Sequence, residues 1–178
     1  MEHNFHDEEN NIKNYEGTDA IFKLREIAES ARICMFTTYT ETRPMPSRPM
    51  ALQGVDEQNG LLYFFSATHS DKNNEIKSDD EVQLFFENNS KSEYLSVYGF
   101  AKISQDRVKI KELWTPWAKT WFQDGPEDPK LSLITVKPES VEYWDTKNSK
   151  MVSLLKIAVS MVSGKTFDDG VEGKLRVK

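Results

Sequence analysis

The sequence predicts a mainly β (α+β) fold: an antiparallel β-barrel, closed or split, with peripheral helices. Three observations carry that reading. Six or seven short runs of β-forming residues follow one another from Ile33 to Trp144, mostly across hairpin-sized gaps, whereas a parallel sheet needs a helix in nearly every gap. Gly99 stands inside one such run, where a glycine marks a bulge or a sharp bend of the kind barrel corners need. The chain has 178 residues, one domain's length, and its 38% hydrophobic and 11% aromatic content supports a packed core.

Taken in order, residues 1–17 are polar, end in Gly17 and read as a flexible arm before a domain over 18–163 and a tail over 164–178. Thr18 and Asp19 offer an N-cap, and Ile21, Leu24, Ile27, Ala28 and Ala31 follow at helical spacing. Ile33 to Tyr39 is a β-run, closed by the turn-like Thr40-Glu41-Thr42-Arg43-Pro44. Pro46 to Val55 is extended, its two prolines marking an edge or irregular strand. Asp56 to Gly60 turns the chain into Leu61 to Ser66. A polar loop then leads to a short helix from about Lys72 to Ser78. Val82 to Glu87 and Tyr94 to Ser104 are strands, and Val108 to Phe122 is helical with a break at Pro116. Leu131 to Val136 and Val141 to Trp144 read as two strands separated by Pro138, and the apolar stretch Val152 to Val162 fits strand or helix equally.

Composition and charge exclude several classes. The net charge is −6, and no Lys/Arg run exceeds two residues, so a nucleic-acid or anionic-membrane surface is not expected. Mean hydropathy is −0.64, with no apolar stretch of membrane-spanning length. The acidic, polar start is neither a signal nor a transit peptide, and a cytoplasmic protein is expected. Cys34 alone allows no internal disulfide and reads as a small buried hydrophobe rather than a reactive thiol. Ser163-Gly164-Lys165-Thr166 mimics the end of a phosphate loop, but that motif needs glycine where Val159 stands. His3 and His6 lie in the arm, which leaves His69 as the ordered imidazole; no metal site is expected. No residue stands out as a general acid or base.

What survives is a set of cations and hydroxyls at strand ends. Arg48, Ser66, Ser70 and Lys72 cluster around one predicted strand–loop–helix junction. Arginine forks onto two oxygens, lysine supplies a point charge, and a helix start offers free N–H groups; together they make a phosphate site. Taken alone, the same residues also fit ordinary surface cations and turn serines.

The order of the pieces adds to this. Arg48-Pro49-Met50, Tyr63-Phe64-Phe65-Ser66, Ser70-Asp71-Lys72, the strand Val82 to Glu87, Val97-Tyr98-Gly99 and Val141-Glu142-Tyr143-Trp144 occur in sequence with fitting gaps. From about Ala20 to Trp144 the chain resembles the FMN-binding split-barrel superfamily of pyridoxamine 5′-phosphate oxidase, and more closely its general stress protein branch. The resemblance implies a six-stranded antiparallel split β-barrel, closed as a homodimer with FMN at the subunit interface. It implies that Arg48, Ser66, Ser70 and Lys72 hold the FMN phosphate, and that the Pro49-Met50-Ala51 stretch and the Phe64-Phe65 end line the ring. It also places Trp144, with Tyr94, where the oxidases bring partner-subunit residues to the cofactor.

Departures narrow the function. Asp71 stands where the oxidases carry an arginine, and Gln53 where they carry a lysine for the substrate phosphate. Asp145 to Lys150 replaces their vitamin-gripping segment, so pyridoxamine phosphate is not the expected substrate. Trp114, Trp117 and Trp121 recur on one helical face; core packing is the first reading, a lid over the flavin the second. The expectation is an FMN-dependent oxidoreductase of the general stress type, with a nicotinamide nucleotide as its reductant. The alternative is a non-catalytic flavin-binding or flavin-buffering protein on the same fold. Haem or a deazaflavin in the same site is a third reading, with His69 as the candidate iron ligand.

Overall fold

The computed structural model describes residues 12–146 and 170–177. Its strands are β1 (Tyr15–Glu16), β2 (Ile33–Thr38), β3 (Ser47–Val55), β4 (Leu62–Ala67), β5 (Glu81–Asn88), β6 (Glu93–Ser104), β7 (Leu131–Thr146) and β8 (Gly170–Arg176). The helices are α1 (Gly17–Ala31), α2 (Asp71–Ser78) and α3 (Arg107–Leu113), followed by 3₁₀ turns at Pro116–Thr120 and Gly125–Glu127. Strand order is β1-β8-β7-β4-β3-β2-β5-β6, and β6 pairs back onto β7. Six antiparallel strands, β2 to β7, thus close a barrel, and β8 and β1 extend it.

Alternation fills the interior. Cys34, Phe36 and Thr38 of β2, Val82, Leu84 and Phe86 of β5, and Leu95, Val97 and Ala101 of β6 are all buried. Helix α1 contributes Ala20, Leu24, Ile27 and Ala28 to the same core, at the spacing read from the sequence. It starts at Gly17 with Glu16 at the N-cap and no side-chain cap, so Thr18 and Asp19 lie inside the first turn. A second apolar cluster, built on Tyr63, Phe65, Ile110, Ala118, Phe122, Leu131 and Leu133, packs the α3 segment on the barrel.

Pro138 does not divide two strands. It sits within the 16-residue β7, in register with Gly99 at a bulge between Tyr98 and Gly99. A Cβ on Gly99 would lie 2.2 Å from the Lys137 carbonyl oxygen, so the crossing needs a bare backbone there. The first half of β7 pairs with β4 and the second with β8, while β6 runs along its other side.

Parts of the predicted arm and tail are ordered. Ile12 and β1 pair in parallel with β8, and Tyr143 Oη donates to the Lys13 carbonyl at 2.7 Å. β8 comes from the segment read as tail. It covers the β7 edge beyond the end of β4 and puts Leu175 in the core. The apolar stretch 152–162, the Ser163–Thr166 motif and His3 and His6 lie outside the described residues.

The tryptophan segment corrects the core-packing expectation. Pro116 restarts the chain as a 3₁₀ turn, which shifts the inward face to Ala118 and Phe122. Trp117 and Trp121 are 55% and 59% exposed and meet edge-to-face at 4.5 Å. Only Trp114 packs inward, 5.9 Å from Phe65. Among the described residues no helix is long and apolar enough to cross a membrane.

Candidate functional site

Arg48 lies in register with Phe36 on β2, which in turn faces Leu84 on β5. It therefore shares an inward row with two core residues, at the barrel end that α2 covers with Ile76. Its Nη1 donates to Thr38 Oγ1 at 2.8 Å and its Nη2 to Glu75 Oε2 at 2.8 Å. The Thr38 hydroxyl donates to that same carboxylate oxygen at 2.6 Å. The guanidinium is thus fixed in place, and three of its five N–H groups remain to be used.

Lys72, in the first turn of α2, is half-buried and has no ion pair among the described residues. Burial lowers its pKa first and the neighbouring Arg48 charge second, with Glu75 and Asp71 pulling back. A cation held this way, beside a second cation and short of an acidic partner, is stabilised by an incoming anion. Arg48 and Lys72 against Asp71 and Glu75 leave the cluster without net charge.

The two serines play unequal parts. Ser66 is buried, and its hydroxyl donates to Asn73 Oδ1 at 2.7 Å and lies 3.1 Å from Ser70 Oγ. Asn73 Nδ2 in turn donates to Ser132 Oγ at 3.0 Å, and the Ser132 hydroxyl donates to the Ser66 carbonyl at 2.9 Å. This closed circuit ties α2 to β4 and β7, and so sets where the helix starts. Ser70 is the N-cap of α2, half-buried, with its carbonyl accepting from Asn73 and Asn74 N–H. Asn73→Leu keeps the branched shape but takes the acceptor from the Ser66 hydroxyl and the donor from Ser132; it is expected to cost about 2 kcal/mol and lower Tm by roughly 4–8 °C. An unchanged melting curve would show that the circuit does not hold the helix.

The remaining predicted residues separate. Met50 points into the barrel core, while Pro49 and Ala51 face outward. Phe65 is buried between Trp114 and Phe122, at 5.9 and 6.5 Å, so its ring is committed to packing. Tyr94 and Trp144 oppose each other across β6 and β7, both 39% exposed. The row containing Arg48 reaches β6 at Val97, three strands across, and Tyr94 lies three residues further along. Within one chain they do not reach the Arg48–Lys72 cluster. His69 is exposed in the β4–α2 loop. Burial pushes the Cys34 thiol pKa far up, which leaves it unreactive.

Sequence reasoning missed Glu75 and Asn73. The signal available was their place on a short helix, at i+3 from Lys72 and from Ser70.

Comparison with known proteins agrees with this architecture. A family profile described as pyridoxamine 5′-phosphate oxidase like matches residues 19–168. Protein bli-3 of Neurospora crassa is 30% identical over 151 residues, spanning 80% of this chain and 72% of that protein. Among solved structures, a general stress protein 26 from Jannaschia sp. CCS1 superposes with a TM-score of 0.75 at 23% identity, over 89% of this chain and 98% of the other. The general stress FMN/FAD binding protein from Xanthomonas citri superposes at 0.63 with 20% identity, over 74% of this chain and 92% of its own. With most of its length under that one profile and this barrel as its fold, the chain belongs to the pyridoxamine 5′-phosphate oxidase-like family.

Proposed function

We propose that this chain binds FMN as a cytoplasmic homodimer and serves as a flavin-dependent oxidoreductase of the general stress type, not as a pyridoxamine phosphate oxidase. The observation that carries this is Lys72: half-buried, without an ion pair among the described residues, its charge disfavoured beside Arg48. The FMN phosphate is an anion of the right kind for that position. The FMN/FAD binding of the Xanthomonas citri relative supports the choice of a flavin. Lys72, Arg48, Ser70 and the free N–H groups opening α2 would hold the phosphate, and the flavin ring would supply hydride chemistry. The chain's own residues would bind and orient the cofactor and limit water.

The outer face supports the dimer. Ile33, Met35 and Phe85 are 51%, 44% and 51% exposed on adjacent strands, beside Pro49 and Ala51. An apolar strip of this kind is covered by a second copy, whose Tyr94 and Trp144 would meet the site that their own chain leaves open. Gln53, in place of a lysine, argues against a phosphorylated vitamin as substrate.

The purified protein is expected to be yellow, or to take up FMN in titration and release it on denaturation. Light scattering is expected to give twice the chain mass of 20.6 kDa. A colourless protein indifferent to FMN removes the flavin reading, and a monomer at micromolar concentration removes the shared site. Anaerobic mixing of the loaded protein with NADH and NADPH then separates an enzyme, whose flavin bleaches, from a flavin buffer.

A further inference from the structure

A cleft of about 650 Å³ is lined among others by Arg32, Gln53 and Trp117, and it shares Ile33 and Ala51 with the strip assigned above to the second copy. Two of its walls are unusual. Trp117 is 55% exposed, yet its ring is steadied edge-to-face by Trp121 at 4.5 Å. An exposed indole backed by a second ring offers a stacking surface rather than a core side chain.

Arg32 is the second wall. It ends α1 with φ +64°, a conformation glycine holds freely and other residues rarely adopt. Both its backbone groups are pinned: the N–H donates to the Ala28 carbonyl at 2.9 Å, and the carbonyl accepts from Leu52 N–H at 2.8 Å. The fold therefore tolerates strain to keep a side chain where glycine would relieve it, which points to use of that side chain. Among the described residues its guanidinium has no ion pair. The acid facing it in the cleft, Glu29, is paired with Arg25 at 3.0 Å.

We propose that this cleft binds a planar aromatic carboxylate, its ring on the Trp117 indole and its carboxylate on the Arg32 guanidinium. The volume readily admits a two-ring ligand, and arginine takes a carboxylate with two parallel hydrogen bonds. As a statement about the second ligand of a flavin protein, this rests on the flavin reading. As a statement about binding, it stands on the cleft alone.

The test uses the full chain, with and without FMN, and two probes of one shape: 2-naphthoate and its neutral amide. Tryptophan fluorescence or equilibrium dialysis is expected to show the carboxylate binding at least ~10-fold more tightly than the amide, as charged hydrogen bonds of this kind allow. Trp117→Leu weakens both probes. Arg32→Gly brings the carboxylate down to the amide's affinity while raising Tm by ~2–4 °C, because the backbone strain is relieved. Arg32→Lys keeps part of the preference. Equal affinity for the two probes, no binding of either, or indifference to both Trp117→Leu and Arg32→Gly overturns the proposal. A chain that ignores FMN yet discriminates the probes sinks the flavin reading and leaves the cleft standing. A chain that binds FMN but not naphthoate does the opposite.

Discussion

Arg48→Gln is expected to weaken FMN binding by about 100-fold, Lys72→Met by about 10-fold, and neither to change riboflavin binding much. Each cation would make charge-assisted hydrogen bonds to the phosphate, worth roughly 1.5–3 kcal/mol, which converts to those factors. Riboflavin carries the ring without the phosphate, so it never makes the lost contacts. Arg48 outweighs Lys72 for a reason visible in the structure. Its removal deletes a donor and also strips Glu75 of its partner, leaving a half-buried carboxylate to face the phosphate. Glu75→Gln is therefore expected to act in the opposite direction and tighten FMN by several-fold, since the cluster then carries a net positive charge. The pH dependence has a definite sign. Lys72 is depressed in the free chain, and a bound phosphate raises it again, so binding takes up protons and affinity falls as pH climbs through the lowered value. Calorimetric titration of FMN and riboflavin against the three variants reads all of this. Equal loss of both ligands would mean a damaged fold, and FMN affinity untouched in both cation variants would move the phosphate elsewhere.

The second large effect concerns stability. Gly99→Ala is expected to cost at least ~3 kcal/mol and to lower Tm by roughly 6–12 °C. The added methyl would sit 2.2 Å from a backbone carbonyl, that of Lys137, which has no rotamer with which to retreat. The strand it would push aside is shared by β4, β6 and β8, so displacement there is not local. Gly54→Ala supplies the contrast: its Cβ would meet only the end of the Leu113 side chain, at 3.1 Å, and a change of under ~1 kcal/mol is expected. Similar melting temperatures for the two variants would show that the bulge can be repacked.

The barrel was legible because its signals are local. Alternating apolar runs, a glycine inside a strand and hairpin gaps need no knowledge of partners, and β2 to β6 fall where the pattern put them. Strand β3, whose prolines suggested an edge or irregular strand, is irregular at Leu52–Gly54 but paired on both sides. Most of the misses share a cause: they depended on a neighbour not adjacent in sequence. Gly170, Glu172, Gly173 and Lys174 carry little β-propensity, and they form β8 because β7 outruns β4 and leaves an edge to be covered. Pro138 reads as a strand end until Gly99 is known to lie opposite it. At the site, Arg48 and Lys72 were legible as cations at one junction, whereas Asn73 and Glu75 look like any polar residues of a short helix until its packing direction is fixed. The tryptophan spacing misled because the periodicity was counted through the Pro116 break.

The pairing of Ile12 and β1 with β8 has a consequence for how the protein is made. Residues 12–16 rest on β8, and the second half of β7 is edge-protected only after residues 170–176 arrive. A ribosome-bound chain halted before that point carries the second half of β7 with its backbone donors and acceptors open to other nascent chains. A stop codon anywhere between the end of β7 and residue 170 is therefore far more damaging than its distance from the Arg48–Lys72 cluster implies.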